Sequence, residues 1–198
     1  MKWLTSGSGT NEKKPKNNFM SNDDLRYPIG KFAPQEHYSA EEIAANIARI
    51  ERLPMAVENL AISFDAKKWD TAYREGGWTA RQVVHHLADS HMNAYMRFKW
   101  TLTESTPTIK VYDEKAWAET PETKLDPVIS LTFLKAHHAK WASLLKLIDG
   151  ENLKKEFIHP DTKKHVPLDR LIALYAWHGE HHLGHLKIVA ANNQISKI

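Results

Sequence analysis

The run from Leu171 to Val189, Leu-Ile-Ala-Leu-Tyr-Ala-Trp-His-Gly-Glu-His-His-Leu-Gly-His-Leu-Lys-Ile-Val, holds four histidines and no proline. Its apolar positions recur at helical spacing, and a helix advances about 100° per residue. With Leu171 as the zero of angle, Tyr175, His178, His182, His185, Leu186 and Val189 all fall within about 60° of it. His178 and His182 stand about 20° either side of the centre of that stripe, so they point into the protein and not into water. His181 lies at the edge, about 80° away, and Glu180 lies opposite. Burying an imidazole nitrogen without a partner costs roughly 1–3 kcal/mol, and a divalent metal satisfies two such nitrogens at once. The spacing H-x-x-x-H suits two ligands on one helix. The competing reading is a pair of core histidines hydrogen-bonded to Tyr or Asp. The zinc-protease pattern H-E-x-x-H is absent, because Gly179 follows His178 and His182 follows His181.

Three more long helices are legible upstream. Ser39-Ala40-Glu41-Glu42 is a capping box, followed by Ile43, Ile47, Ile50 and Leu53 at helical spacing. Pro54 is expected to kink or interrupt that helix, which runs on towards Phe64. Gly76-Gly77 marks a turn, and Thr79-Ala80-Arg81-Gln82 is a second capping box opening a helix to about Leu102. A loop of about 20 residues with Pro107, Tyr112, Trp117 and Pro121 follows, long enough to be functional or docked on the body. Asp126-Pro127 reads as N-cap and N1 of a third helix ending at Gly150. Residues 156–166 suggest a small hairpin around Pro160-Asp161. The fourth helix runs from about Pro167 to Ala191. The expected fold is all-α, a four-helix bundle with long loops and one small hairpin.

Composition narrows the chemistry. The chain has 198 residues, with 27 Lys and Arg against 24 Asp and Glu, a net charge of +3. That balance argues against nucleic acid as a partner. Zero cysteines exclude a disulfide scaffold, a cysteine nucleophile, Fe–S ligation and any cysteine-containing zinc site. Residues 1–24, rich in Gly, Ser, Asn and Lys, read as a disordered tail ahead of one domain over 25–198. No apolar run after Met1-Lys2-Trp3-Leu4 resembles a signal segment, and none is long enough to span a membrane, so a cytoplasmic protein is expected. Histidine is the unusual entry in the composition, with 12 of 198 residues.

Seven of the twelve fall in two windows, with His85, His86 and His91 on the second helix and the four already described on the fourth. Bundle cores build metal sites from facing helices. His86 shares a face with Val83, Leu87, Ser90 and Ala94, and His91 shares one with Val84, Ala88 and Tyr95. Periodicity therefore leaves the third ligand open among His85, His86 and His91.

The run Gly77 to His91, Gly-Trp-Thr-Ala-Arg-Gln-Val-Val-His-His-Leu-Ala-Asp-Ser-His, closely resembles the YfiT-like metal-dependent hydrolases of the DinB-like superfamily. So do Leu25 to Gly30, Tyr112 to Trp117, His159 to Lys163, and Trp177 to His182, in order across roughly residues 25 to 190. The resemblance implies a four-helix bundle holding one divalent ion, zinc or nickel, on His86, His178 and His182. It also implies a homodimer acting on a small molecule.

Three protein ligands leave a coordination position open, as in catalytic sites. Water there has its pKa lowered towards about 7, which points to a hydrolase acting on an ester or amide. No general base is visible in either histidine motif. Glu180 points away, and Asp89 reads as a partner orienting a histidine or capping a helix. His185 reads as a packing residue, with a spare ligand or proton shuttle as the alternative. A second enzyme reading is a metal-dependent transferase of a low-molecular-weight thiol onto electrophiles, the thiol being supplied from outside. Arg97 with Lys99 are candidates for holding such an anionic thiol, against the plain reading of a solvated charged face. A third reading is a non-catalytic metal-binding bundle. Trp78, Trp117 and Trp177 read as core anchors.

Overall fold

Several helices start where their own sequence satisfies the first free amides. The computed structural model describes residues 21–191. Among these, α1 (Asn22–Arg26) opens on Ser21, whose hydroxyl accepts from the Asp24 amide at 3.1 Å while the Asp24 carboxylate accepts from the Ser21 amide at 2.9 Å. Of the tail expected over 1–24, residues 1–20 lie outside the described residues, and residues 21–24 belong to this capped turn. The same reciprocal cap opens α2 (Ala40–Ala61) at Ser39 and Glu42. Pro54 does not break α2, which continues to Ala61 with Pro54 buried.

A short turn, α3 (Ala66–Trp69), leads to α4 (Ala80–Thr103), capped by Thr79 and Gln82 as the sequence indicates. The long loop carries one helical turn, α5 (Glu114–Trp117), and a 3-10 turn at Pro121–Lys124. It is docked, not free. Gln82 Nε2 donates to Ala118 O at 3.0 Å, and Arg81 Nη1 donates to Leu125 O at 2.9 Å.

The third long helix, α6 (Val128–Leu147), begins one residue later than expected, with Asp126 Oδ1 accepting from the Val128 amide at 2.9 Å. It stops before Gly150, where α7 (Gly150–Leu153) starts afresh under an Asp149 cap. Strands β1 (Glu156–Ile158) and β2 (His165–Pro167) pair antiparallel, Phe157 opposite Val166, and form the expected hairpin. Helix α8 (Leu168–Ala191) completes the bundle.

The packing order is not that of the chain. Both α2 and α4 pack on α6 and on α8. The diagonal pairs are therefore α2 with α4 and α6 with α8, and α4 meets α8 side by side. Two apolar clusters fill the interior. One gathers Ile47, Ile50, Phe98, Trp141, Leu145, Leu171 and Ile172; the other gathers Leu53, Val57, Val83, Val84, Leu87, Leu134, Leu186 and Val189. On α8 the first cluster ends at Ala176 and the second resumes at Leu186, with the four histidines of that helix between them. His91 of α4 and His138 of α6 fall in the same gap, both fully buried. The histidines thus form a polar layer across an otherwise apolar core. Among the described residues Trp141 is the fully buried tryptophan; Trp78, Trp117 and Trp177 are half-buried, and of these three Trp78 packs against the second cluster as expected. No helix among the described residues is long and apolar enough to cross a membrane.

Candidate metal centre

The structure separates the three histidines of α4. His85 turns towards α6, where Ser130 Oγ lies 2.8 Å from its Nδ1 and the Leu125 carbonyl 3.5 Å from its Nε2. A carbonyl only accepts, so Nε2 carries the hydrogen and Nδ1 accepts from the serine hydroxyl. Both nitrogens of His85 are then used. His86 instead faces α8, with its Nε2 3.3 Å from His178 Nε2 and its ring 4.8 Å from the His182 ring. His91 lies behind His178, its Nε2 3.2 Å from His178 Nδ1.

One nitrogen from each of His86, His178 and His182 lies within 4.8 Å of the other two. Two nitrogens bound to one zinc at 2.0–2.1 Å with a tetrahedral angle stand about 3.3–3.4 Å apart. The His86–His178 separation matches that spacing, and the donor set is chemically apt, so these residues fit a divalent ion. A second grouping, His181, His182 and His185, also lies within 4.8 Å and shares His182.

Burial keeps these rings neutral, with their lone pairs available. Desolvation, then the nearby His181 and His185, push the His86 pKa down to about 4. Desolvation likewise holds His182 well below the usual imidazole range, with His178 and His86 adding to it. His178 keeps some solvent access at its surface, yet the protein packed around its ring governs its charge and drives its pKa well down too. Trp78 walls the site, its ring centroid 4.6 Å from that of His86 and 6.2 Å from that of His182.

Other expectations fare differently. Glu180 points outward and pairs with Arg49 of α2, Arg49 Nε donating at 2.8 Å. The Asp89 carboxylate orients no histidine and caps no helix among the described residues; the one side-chain hydrogen bond to Asp89 goes to its backbone carbonyl, from Asn93 Nδ2. Burial, with the Glu122 charge nearby, raises its pKa to about 6. Arg97 is occupied by the Tyr175 hydroxyl at 3.2 Å and the Lys110 carbonyl at 3.4 Å, and Lys99 is exposed. The two do not form a basic pair. The contact from His91 to His178, and the stacking of His138 on His91 at 4.9 Å, were not foreseen. The one signal for them was the placement of His138 on a helix whose buried residues include Leu134, Trp141 and Leu145. A cavity of about 670 Å³ lined by Ile43, Ile47, Leu145 and Leu153 lies where α2 begins and α6 ends, apart from the histidines.

The family model of the DinB superfamily matches residues 26–186. The chain belongs to the DinB superfamily. Among DinB relatives, YfiT of Bacillus subtilis strain 168, named a "Putative metal-dependent hydrolase", is 45% identical over 168 residues, covering 84% of this chain and 94% of YfiT. A protein of the same name from Bacillus cereus strain AH820 is 49% identical over 164 residues, covering 83% of this chain and 94% of its own. The solved structure of Bacillus subtilis YfiT matches with a TM-score of 0.84 at 44% identity, covering 86% of this chain and 98% of that one. It is described as a probable metal-dependent hydrolase with an unusual four-helix bundle topology.

Proposed function

We propose that this protein is a metal-dependent hydrolase of small-molecule esters or amides, with His86, His178 and His182 holding one zinc or nickel ion. The observation that carries this reading is the 3.3 Å separation of His86 Nε2 and His178 Nε2, the spacing of two nitrogens on one tetrahedral ion. A divalent ion on three histidines supplies Lewis acidity, polarising a carbonyl and lowering the pKa of water from 15.7 towards about 7.

The chain's own residues supply the rest. Trp78 covers the His86 and His182 rings and keeps bulk water from that side. Asp89 stands one turn along α4 from His86, and residues three apart on a helix are neighbours. Burial raises its pKa above the usual carboxylate value, the direction that suits a proton acceptor. It is the general base in this reading.

Purified protein is expected to carry about one zinc or nickel per chain and to turn over simple esters or amides with no thiol added. Conjugate formation from an electrophile only when a small thiol is present overturns hydrolysis in favour of thiol transfer. Inactivity in both assays, with metal bound, leaves a metal-binding bundle.

A further inference from the structure

The second three-histidine grouping, His181, His182 and His185, invites a second ion, but the hydrogen bonds around His185 tell against it. His185 Nε2 lies 3.2 Å from the backbone carbonyl of Arg26. A carbonyl only accepts, so in the buried, neutral ring Nε2 carries the hydrogen and Nδ1 is a bare lone pair. That Nδ1 lies 3.3 Å from His182 Nδ1. Two nitrogens at this distance bond only if one carries a hydrogen, and His185 has none left there. His182 Nδ1 is therefore the donor, and His182 Nε2 is left bare.

We infer that His185 is a positioning residue, locking His182 in the tautomer that presents Nε2 as a metal ligand. The inference rests on the assignment of His182 as a ligand. Two contacts hold His185 in place. Tyr73 stacks on its ring at 3.7 Å with 13° between planes. The chain from α1 to Gly30 lies across α8, with the Trp177 indole donating to Gly30 O at 3.3 Å. Gly184 permits that approach, since a Cβ there would stand 2.8 Å from Pro28 Cγ and 3.1 Å from Pro28 Cβ. The N-terminal segment thus reaches the metal centre through one carbonyl and one imidazole, although none of its side chains belongs to the ligand set.

The test is metal affinity, measured by chelator competition with Co(II) and Zn(II), alongside the Co(II) absorption spectrum and thermal melts. His185→Leu is expected to weaken binding 10–100-fold and alter the Co(II) spectrum. His185→Asn, whose side-chain oxygen can accept from His182 Nδ1, is expected to restore most of the affinity. Gly184→Ala should weaken binding in the parent protein but add nothing on top of His185→Leu. Unchanged affinity in His185→Leu overturns the inference. So does equal loss in the Leu and Asn variants that tracks a fall in melting temperature, which marks a merely structural role. Two ions per chain, falling to one in His185→Leu, overturns it in favour of a second metal site. Full metal retention in His182→Ala instead removes the ligand assignment beneath it.

Discussion

Gly179 of α8 lies against Leu53 of α2 so closely that a Cβ on it would meet Leu53 Cδ2 at 2.5 Å, and Leu53 Cδ1 and Cγ at 3.3 Å. This contact is next to His178, so the seam between α2 and α8 also fixes where His178 and His182 stand.

Replacing Gly179 by Ala sets two effects against each other. Removing glycine from a helix interior gains about 0.8–1 kcal/mol. Overpacking a buried contact costs about 1–3 kcal/mol, and Leu53, only 3% exposed, has little room to swing aside. The expected result is a net loss of about 1 kcal/mol in denaturant unfolding. In a Leu53→Ala background the clash is gone, and the same substitution should stabilise by the propensity gain. A stabilising Gly179→Ala in the parent protein contradicts the close approach.

The three α4 histidines should separate cleanly on substitution by Ala. His86→Ala is expected to abolish stoichiometric metal, as are His178→Ala and His182→Ala. His85→Ala should keep the metal and lose about 1–3 kcal/mol of stability, because Ser130 and the Leu125 carbonyl are left without their partner. His181→Ala should also keep the metal. Elemental analysis after gel filtration decides it, and stoichiometric metal in a His86, His178 and His182 triple variant sinks the ligand assignment.

How much of this was legible in the sequence depends on what each residue faces. The starts of α2 and α4 were readable because both partners of each cap lie within four residues, Ser39 with Glu42 and Thr79 with Gln82. The α8 stripe was readable for a similar reason, since helical spacing alone decides which residues share a face. Choosing among His85, His86 and His91 was beyond periodicity, because all three are buried and differ only in the neighbour they meet. That neighbour depends on the diagonal placement of α2 and α4, a property of packing that no single helix encodes. The family resemblance supplied His86 where spacing could not. His185 was read as packing because its partner, the Arg26 carbonyl, is 159 residues away and is a backbone group with no side-chain signature.

Asp89→Asn tests the proton acceptor. It is expected to lower kcat about 10²–10⁴-fold while leaving metal affinity within a factor of two or so. An Asn variant with unchanged turnover removes Asp89 from the reaction, and one that loses metal reassigns it to the metal's surroundings.

The buried histidines should make metal-free protein acid-sensitive well above the carboxylate range. His138 donates from Nδ1 to the Ile50 carbonyl at 2.7 Å, and desolvation pushes its pKa down to about 4. His86 is likewise held at about 4. For a base whose pKa falls on folding, the unfolded chain binds more protons between the two values, so stability rises with pH across that window. From about pH 4 to 6.5 the slope should reach about 1.4 kcal/mol per pH unit for each of these groups, roughly 3 kcal/mol apiece across the window, with no further change above 6.5. Asp89 acts in the opposite sense. Its pKa is raised on folding, so its contribution falls as pH rises from 3.8 to about 6, softened by its partial exposure to water. Two deeply buried histidines outweigh one half-buried carboxylate, and the net slope is upward. Denaturant unfolding of metal-free protein between pH 4.5 and 7.5 measures it. His138→Asn, which can still donate to Ile50 but cannot charge, should lower the slope by the share of one proton, and an unchanged slope in that variant means that His138 is not held neutral by the fold.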